Sequence, residues 1–265
     1  MIHYKSGREI ERMAIAGEMV AQTFQQIAPL VVAGTSTQEI DDAVRDMVQA
    51  LGGKPLFLGY NGFPAHCCIS VNDEVVHGIP GPRVLVESDL VSVDIGIEME
   101  GFCGDSARTF LIGEADELTR QVLSVCRAAL AAGIAGAYPG NTLVGLIGAI
   151  EAVIRESRLG LVENFVGHGI GRNMHEEPQV PNFVSPVLQR NDLELRSGLV
   201  LAIEPMVNSG TGAVRTLDDG WTVVTADGGV SAHCEHSVAI TDDGPRVLTL
   251  GPGECWPPVS GTPGQ

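Results

Sequence analysis

Two stretches of this chain repeat the same apolar spacing 106 positions apart. Gly34, Ile40, Ala43, Val44, Met47 and Val48 fall opposite Gly140, Leu146, Ala149, Ile150, Val153 and Ile154. A little further on, Phe57-Leu-Gly-Tyr60 matches Phe165-Val-Gly-His168 at an offset of 108. Small apolar residues also coincide by chance, so either duplication or coincidence accounts for the match. A duplication restricts the chain to two similar helix–helix–strand halves, with a site at their junction.

Local signals give the elements. Ser6 followed by Glu9 is a capping box and opens a helix whose apolar face includes Ile10, Met13, Val20, Phe24, Ile27 and Val31. Ser36 with Glu39 opens a second, with Ile40, Val44, Met47, Val48 and Leu51 inward and Gly52-Gly53 ending it. A second helical pair is expected at about 116–136 and 142–157. Short strands and turns are expected over 56–112 and again over 162–250. Runs of helices and runs of strands, rather than strict alternation, argue for an α+β fold. The expected organisation is one domain over residues 1–250, in halves of about 1–113 and 114–250, followed by a flexible Gly/Pro-rich tail over 251–265.

The 265 residues, 44% hydrophobic, suffice for a large core. The formal charge of −17, from 16 Lys+Arg against 33 Asp+Glu, argues against a nucleic-acid or membrane-surface role, because such a surface repels phosphates. Lys5 and Lys54 are the only lysines. The polar start from Met1 to Arg12 lacks the apolar centre of a signal peptide, and no run of about 18 apolar residues exists to span a membrane. Six cysteines without CxxC spacing fit a reduced cytoplasmic set better than disulfides or a cysteine zinc site.

Against this background, acid stands where apolar residues belong. Asp94 interrupts Leu90-Val-Ser-Val-Asp94-Ile-Gly-Ile, and Glu204 interrupts Leu199-Val-Leu-Ala-Ile-Glu204-Pro-Met-Val. An unpaired core carboxylate costs several kcal/mol or takes up a proton, so such residues find a cation, unless they face solvent or meet an arginine. Asp105 follows one hairpin strand later, Glu235 lies in another strand-like run, and His168 sits among glycines in Val166-Gly-His168-Gly-Ile-Gly. Four carboxylates and one imidazole carry the charge to hold two divalent ions. Their oxygen-rich set with one histidine suits Mn²⁺, Fe²⁺, Co²⁺ or Zn²⁺ without choosing among them. A pair of such ions generates a hydroxide near neutral pH and polarises a peptide carbonyl. His77 and His175 flank Gly/Pro turns, where imidazoles serve hydrogen bonding and proton transfer, although a lone histidine is more often structural.

These segments resemble the type I methionine aminopeptidases, of pita-bread fold, from about Ser6 to Leu250. The likeness is carried by Leu58-Gly-Tyr-Asn-Gly-Phe-Pro, Cys68-Ile-Ser-Val-Asn, Val76-His-Gly-Ile-Pro, Val93-Asp-Ile-Gly, Gly104-Asp-Ser, Gly167-His-Gly-Ile-Gly-Arg, His175-Glu-Glu-Pro, Ile203-Glu-Pro and Glu235-His-Ser. The resemblance implies a curved antiparallel sheet covered by two pseudo-symmetric helix pairs. It implies Asp94, Asp105, His168, Glu204 and Glu235 as metal ligands, with Asp105 and Glu235 bridging. Glu204 would also shuttle a proton, His77 would stabilise the tetrahedral intermediate, and His175 would bond the substrate carbonyl. Tyr60, Phe63, Cys68, Met174 and Trp221 would line the methionine pocket, with Phe57 at its rim. Asn72 and Ser231 match positions that help hold a monovalent cation. The implied activity is removal of the N-terminal methionine from nascent proteins, with a small second residue preferred. The implied setting is a cytoplasmic monomer that meets the ribosome transiently.

The sequence departs from the family pattern at Cys103, Met174 and Ser237, none of them an implied ligand or catalytic histidine. Two rival readings share the fold. A proline-specific peptidase usually adds a large N-terminal domain and an extra histidine shortly before Gly167-His168, where Asn164 and Phe165 stand here. A non-catalytic binding protein typically loses ligands, and all five are present.

Overall fold

The computed structural model describes residues 1–251 and Glu254. The rest of the expected tail lies outside the described residues.

Helix α1 spans Gly7–Ile27 and α2 spans Thr37–Ala50, each opened by a complete capping box. Ser6 Oγ accepts from the Glu9 amide at 3.4 Å, while the Ser6 amide donates back to Glu9 Oε2 at 3.0 Å. Pro29 follows α1, and the chain tightens there into a 3₁₀ turn over Ala28–Leu30, so Val31 lies outside the helix although it remains buried. Helix α3 covers Glu117–Ala135 behind the N-cap Asp116, and α4 covers Leu143–Ser157 behind Thr142. A short helix α5, Pro186–Arg190, stands within the region expected to hold only strands. Ser185 caps it and proline occupies its first turn, so its signal was local and readable.

The two helical pairs pack on two principal antiparallel sheets. In one, the strand Leu90–Met99 pairs with Phe102–Leu111, Cys68–Val71 and Lys54–Pro55. In the other, Val200–Ile203 sits between His236–Thr241 and Gly167–Gly169, with Gly244–Val247 and Glu176–Val180 outside them. Phe24, Ile27, Ile40 and Val44 from α1 and α2 pack against Val91, Val93, Ile95 and Ile97. Leu130, Ile134, Ile147 and Ile150 from α3 and α4 pack against Leu199, Leu201 and Ile203. Each such fully buried side chain contributes about 1.5–3 kcal/mol.

One backbone device occurs twice. Before α2, Gly34 (φ 95°) donates to Leu85 O at 2.9 Å, Leu85 donates to Thr35 O at 2.8 Å, and Thr37 donates to Arg83 O at 2.9 Å. Before α4, Gly140 (φ 89°) donates to Leu195 O at 3.0 Å, Leu195 to Asn141 O at 2.8 Å, and Leu143 to Leu193 O at 2.8 Å. Both turns need positive φ where glycine stands. The strand holding Asp94 follows the first device, and the strand Val200–Ile203, with Glu204 directly after it, follows the second, so the two carboxylates take equivalent places.

Helix α1 crosses the strand Phe102–Leu111 backbone to backbone. A Cβ on Gly104 would lie 2.7 Å from Gly17 N and 2.9 Å from Gly17 Cα, with only main chain to give way. Gly104→Ala is therefore expected to cost about 1–3 kcal/mol, read as a lower urea midpoint with an unchanged slope.

Candidate metal centre and its pocket

Alternation along strands decides which acids share a face. Asp94 pairs with Ala107, and Asp105 lies two residues from Ala107, so Asp94 and Asp105 are diagonal neighbours on one face. His168 pairs with Ala202, and Glu204 lies two beyond Ala202, which repeats the diagonal in the second sheet. His168 Nε2 and Glu204 Oε1 are 3.6 Å apart. The sequence reading put Glu204 and Glu235 inside strands. Glu204 instead follows the end of Val200–Ile203, ahead of Pro205, and Glu235 lies in the break between Ser231–His233 and His236–Thr241. Proline cannot extend the ladder, and the break turns Glu235 toward the other sheet.

That turn joins the halves. The Glu235 amide donates to Ala107 O at 2.9 Å, Ser106 Oγ donates to Glu235 O at 2.6 Å, and the Asp105 amide donates to Ser237 Oγ at 3.1 Å. As a result Asp105, His168 and Glu235, all buried, bring ligand atoms within 4.8 Å of one another.

The electrostatics of this cluster call for a cation. Asp94 Oδ1, Asp105 Oδ1 and Glu235 Oε1 are buried without a hydrogen-bond partner. Each such atom costs about 1–3 kcal/mol if nothing meets it. Burial pushes the Asp94 carboxyl up to about 7. Burial, and then their mutual repulsion, push Asp105, Glu204 and Glu235 well above the usual carboxylate range. His168 Nδ1 lies 2.9 Å from Gly169 O; donation there leaves the Nε2 lone pair facing the cluster. Burial lowers His168 and His77 to about 4, and His175 adds to both shifts, so both imidazoles are neutral at pH 7. The donor set and its unpartnered oxygens fit divalent metal.

The pocket beside the cluster is lined by the five implied ligands, His77, His175, the side chains implied for the methionine pocket, and Asn61, while Asn72 and Ser231 lie outside its lining. Phe57, Phe63, Cys68, Met174 and Trp221 form its apolar wall, and Ala65 and Ile79 pack in the same cluster. Phe57, expected at the rim, is buried, and Tyr60, 39% exposed, forms the mouth instead. Tyr60 Oη lies 2.7 Å from His175 Nδ1, and the His175 ring lies 4.2 Å from that of His168. His77 follows the strand Glu74–Val76 at φ 59° and meets Phe165 and Trp221 edge to face. Asn72 and Ser231 also come together, the Ser231 amide donating to Asn72 O at 2.8 Å.

Sequence reading missed His233. It is buried, its Nε2 has no hydrogen-bond partner, and it lies 3.7 Å from Glu204 Oε2. Its spacing of two from Glu235 put it on the same face of an extended run, which was the available signal.

The model of metallopeptidase family M24 matches residues 11–242. A methionine aminopeptidase of Clostridium perfringens is 44% identical, over 94% of this chain and 99% of the relative. Methionine aminopeptidase 1 of Bacillus subtilis is 42% identical over the same shares. The crystal structure of methionine aminopeptidase from Thermotoga maritima superposes with a TM-score of 0.91 at 39% identity, covering 94% of this chain and all of that one. Prolidase from Pyrococcus furiosus, at 21% identity and a TM-score of 0.74, covering 93% of this chain and 65% of that one, shares the pita-bread fold alone. The chain belongs to metallopeptidase family M24 and, within it, to the methionine aminopeptidases.

Proposed function

We propose that the chain hydrolyses the N-terminal Met–Xaa bond of peptides and nascent proteins, with Asp94, Asp105, His168, Glu204 and Glu235 holding two divalent ions. The observation that carries this reading is the meeting of unpartnered buried carboxylate oxygens with an apolar, sulfur-tolerant pocket in one cavity. When bound, the ions supply Lewis acidity: a polarised carbonyl and a water acidic enough to attack near neutral pH. Mn²⁺, Fe²⁺, Co²⁺ and Zn²⁺ all suit the donor set.

The chain's own groups do the rest. Glu204 accepts a proton from the attacking water and passes it to the leaving amine. With Tyr60 donating to Nδ1, His175 keeps its proton on Nε2 and offers it to the substrate carbonyl. His77, neutral at working pH, donates to the scissile amide and the developing oxyanion. Phe57, Phe63, Cys68, Met174 and Trp221 enclose the methionine side chain, and Tyr60 covers it from the mouth. Ser231 Oγ, buried and unpartnered beside the Asn72 carbonyl, offers oxygen to a monovalent cation.

No helix among the described residues is long and apolar enough to cross a membrane. The reading places the enzyme in the cytoplasm as a monomer that meets nascent chains near the ribosome. Metal-stripped protein restored with Mn²⁺ or Co²⁺ should cleave Met-Ala-Ser at least about tenfold faster than Leu-Ala-Ser, and should leave Ala-Pro uncut. Equal rates on the three would overturn the specificity.

A further inference from the structure

Lysine is rarely buried, and the two lysines of this chain have opposite settings. Lys54 is 75% exposed and meets Glu98 at the surface. Lys5 lies in the segment before α1 with its side chain only 5% exposed, and its Nζ is 2.8 Å from Glu176 Oε2, itself 7% exposed. The Lys5 amide donates to Gly198 O at 2.7 Å, so the segment is tied down at its backbone as well. Room for a side chain is lacking around it: a Cβ on Gly198 would lie 2.7 Å from Lys5 O.

Glu176 faces two ways. While Oε2 meets Lys5, Oε1 accepts from the Arg172 amide at 3.0 Å and from the Asn173 amide at 3.3 Å. The carboxylate thus closes the turn that carries Met174 and His175. A Cβ on Gly171 would lie 2.6 Å from both Glu176 Oε1 and Lys5 Cε, so turn, acid and lysine pack without slack. The other end of the turn is pinned where the Cys103 amide donates to Gly171 O at 2.8 Å. Burial alone would raise Glu176, but the Lys5 hydrogen bond and charge, with the two amides, hold it below the usual carboxylate value.

We infer that Lys5 is a positioning residue: through Glu176 it latches the turn that presents Met174 to the methionine side chain and His175 to the substrate carbonyl. The inference rests on the substrate-binding roles proposed above for those two residues. Lys5 touches neither metal ligand nor substrate. Its work is to keep a turn of mostly exposed residues in one conformation, so that the His175 ring stays against His168 and Tyr60. Removing the lysine leaves a buried carboxylate without its cation, and the turn must open to hydrate it.

The test compares Lys5→Met, which keeps the apolar stem, with Glu176→Gln, which keeps the shape. Hydrogen exchange at the Arg172 and Asn173 amides should speed up by about tenfold or more in Lys5→Met, with or without metal. On Met-Ala-Ser, kcat/KM should fall by about 10- to 100-fold, as expected when a substrate-positioning group is misplaced. Metal affinity should stay within about threefold, since no ligand is touched. In a His175→Ala background the same lysine substitution should cost less than about threefold, because the group it positions is gone. Unchanged exchange at the two amides, or an equal loss with and without His175, overturns the latch. Should Lys5→Met fail to fold, Glu176→Gln gives the same readings and decides. If the parent cleaves no methionyl peptide, the proposed activity fails, and exchange still tests the latch.

Discussion

Glu204→Gln is expected to lower kcat on Met-Ala-Ser by about 10²- to 10⁴-fold, the range for removing a general acid–base group. The substitution keeps the length and one donor oxygen, and the main chain at this point is held independently, because Asn182 Nδ2 donates to Glu204 O at 3.1 Å. Glu204 carries two proposed duties, so its loss must be divided between them. Raising Mn²⁺ or Co²⁺ until bound metal equals that of the parent removes the ligand effect from the rate. A loss of kcat that survives at equal metal content belongs to proton transfer. Complete recovery at saturating metal would leave Glu204 as a ligand only. His233, 3.7 Å from Glu204 Oε2, offers an internal check. His233→Ala should change kcat far less than Glu204→Gln, because an imidazole beside the carboxylate orients it without carrying the proton.

What could be read in advance followed from how far each signal reaches along the chain. The four long helices announce themselves locally: Ser6, Ser36, Asp116 and Thr142 cap them, and their buried faces recur at helical spacing. Helix α5 carries the same kind of signal in Ser185-Pro186, but one turn leaves no periodicity to notice. The acids were legible because a carboxylate in an apolar run is an energetic contradiction. Their mutual arrangement was not, since it depends on register: Asp94 opposite Ala107 and His168 opposite Ala202 are facts about pairing between strands. Glu235 shows the limit most clearly. It reads as a strand residue, yet it works because the strand breaks there and its amide crosses to Ala107 O. The latch at Lys5 was invisible for the same reason: its partner lies 171 positions away, and a lone lysine near a chain start carries no pattern.

The gap in melting temperature between metal-loaded and metal-free protein is expected to widen by at least about 5 °C from pH 5 to pH 8. In the metal-free fold Asp94 is raised to about 7, and Asp105, Glu204 and Glu235 are also raised well above their ordinary values. The unfolded chain releases these protons near pH 4, so between there and the folded values the native state binds more protons than the unfolded one. Stability from these groups is complete below the unfolded values and is lost as pH rises through the folded ones. Each retained proton costs roughly 1.4 kcal/mol per pH unit, and each kcal/mol moves the melting point of a chain this size by about 2–4 °C. Metal removes the penalty, because the ligands are already deprotonated in the loaded protein. Two other terms also vary with pH. The buried imidazoles of His77, His168, His233 and His236 are depressed to about 3–4 by burial, so they add stability as pH climbs toward 6.5. The formal charge of −17 weakens the fold through self-repulsion. The imidazoles are neutral in both forms and the surface charge is common to both, so the difference between the melting points isolates the four carboxylates. Scanning calorimetry of both forms at one-unit pH intervals measures it. A gap that stays constant would mean that these carboxylates do not hold the metal, and Asp94→Asn should flatten the metal-free curve if they do.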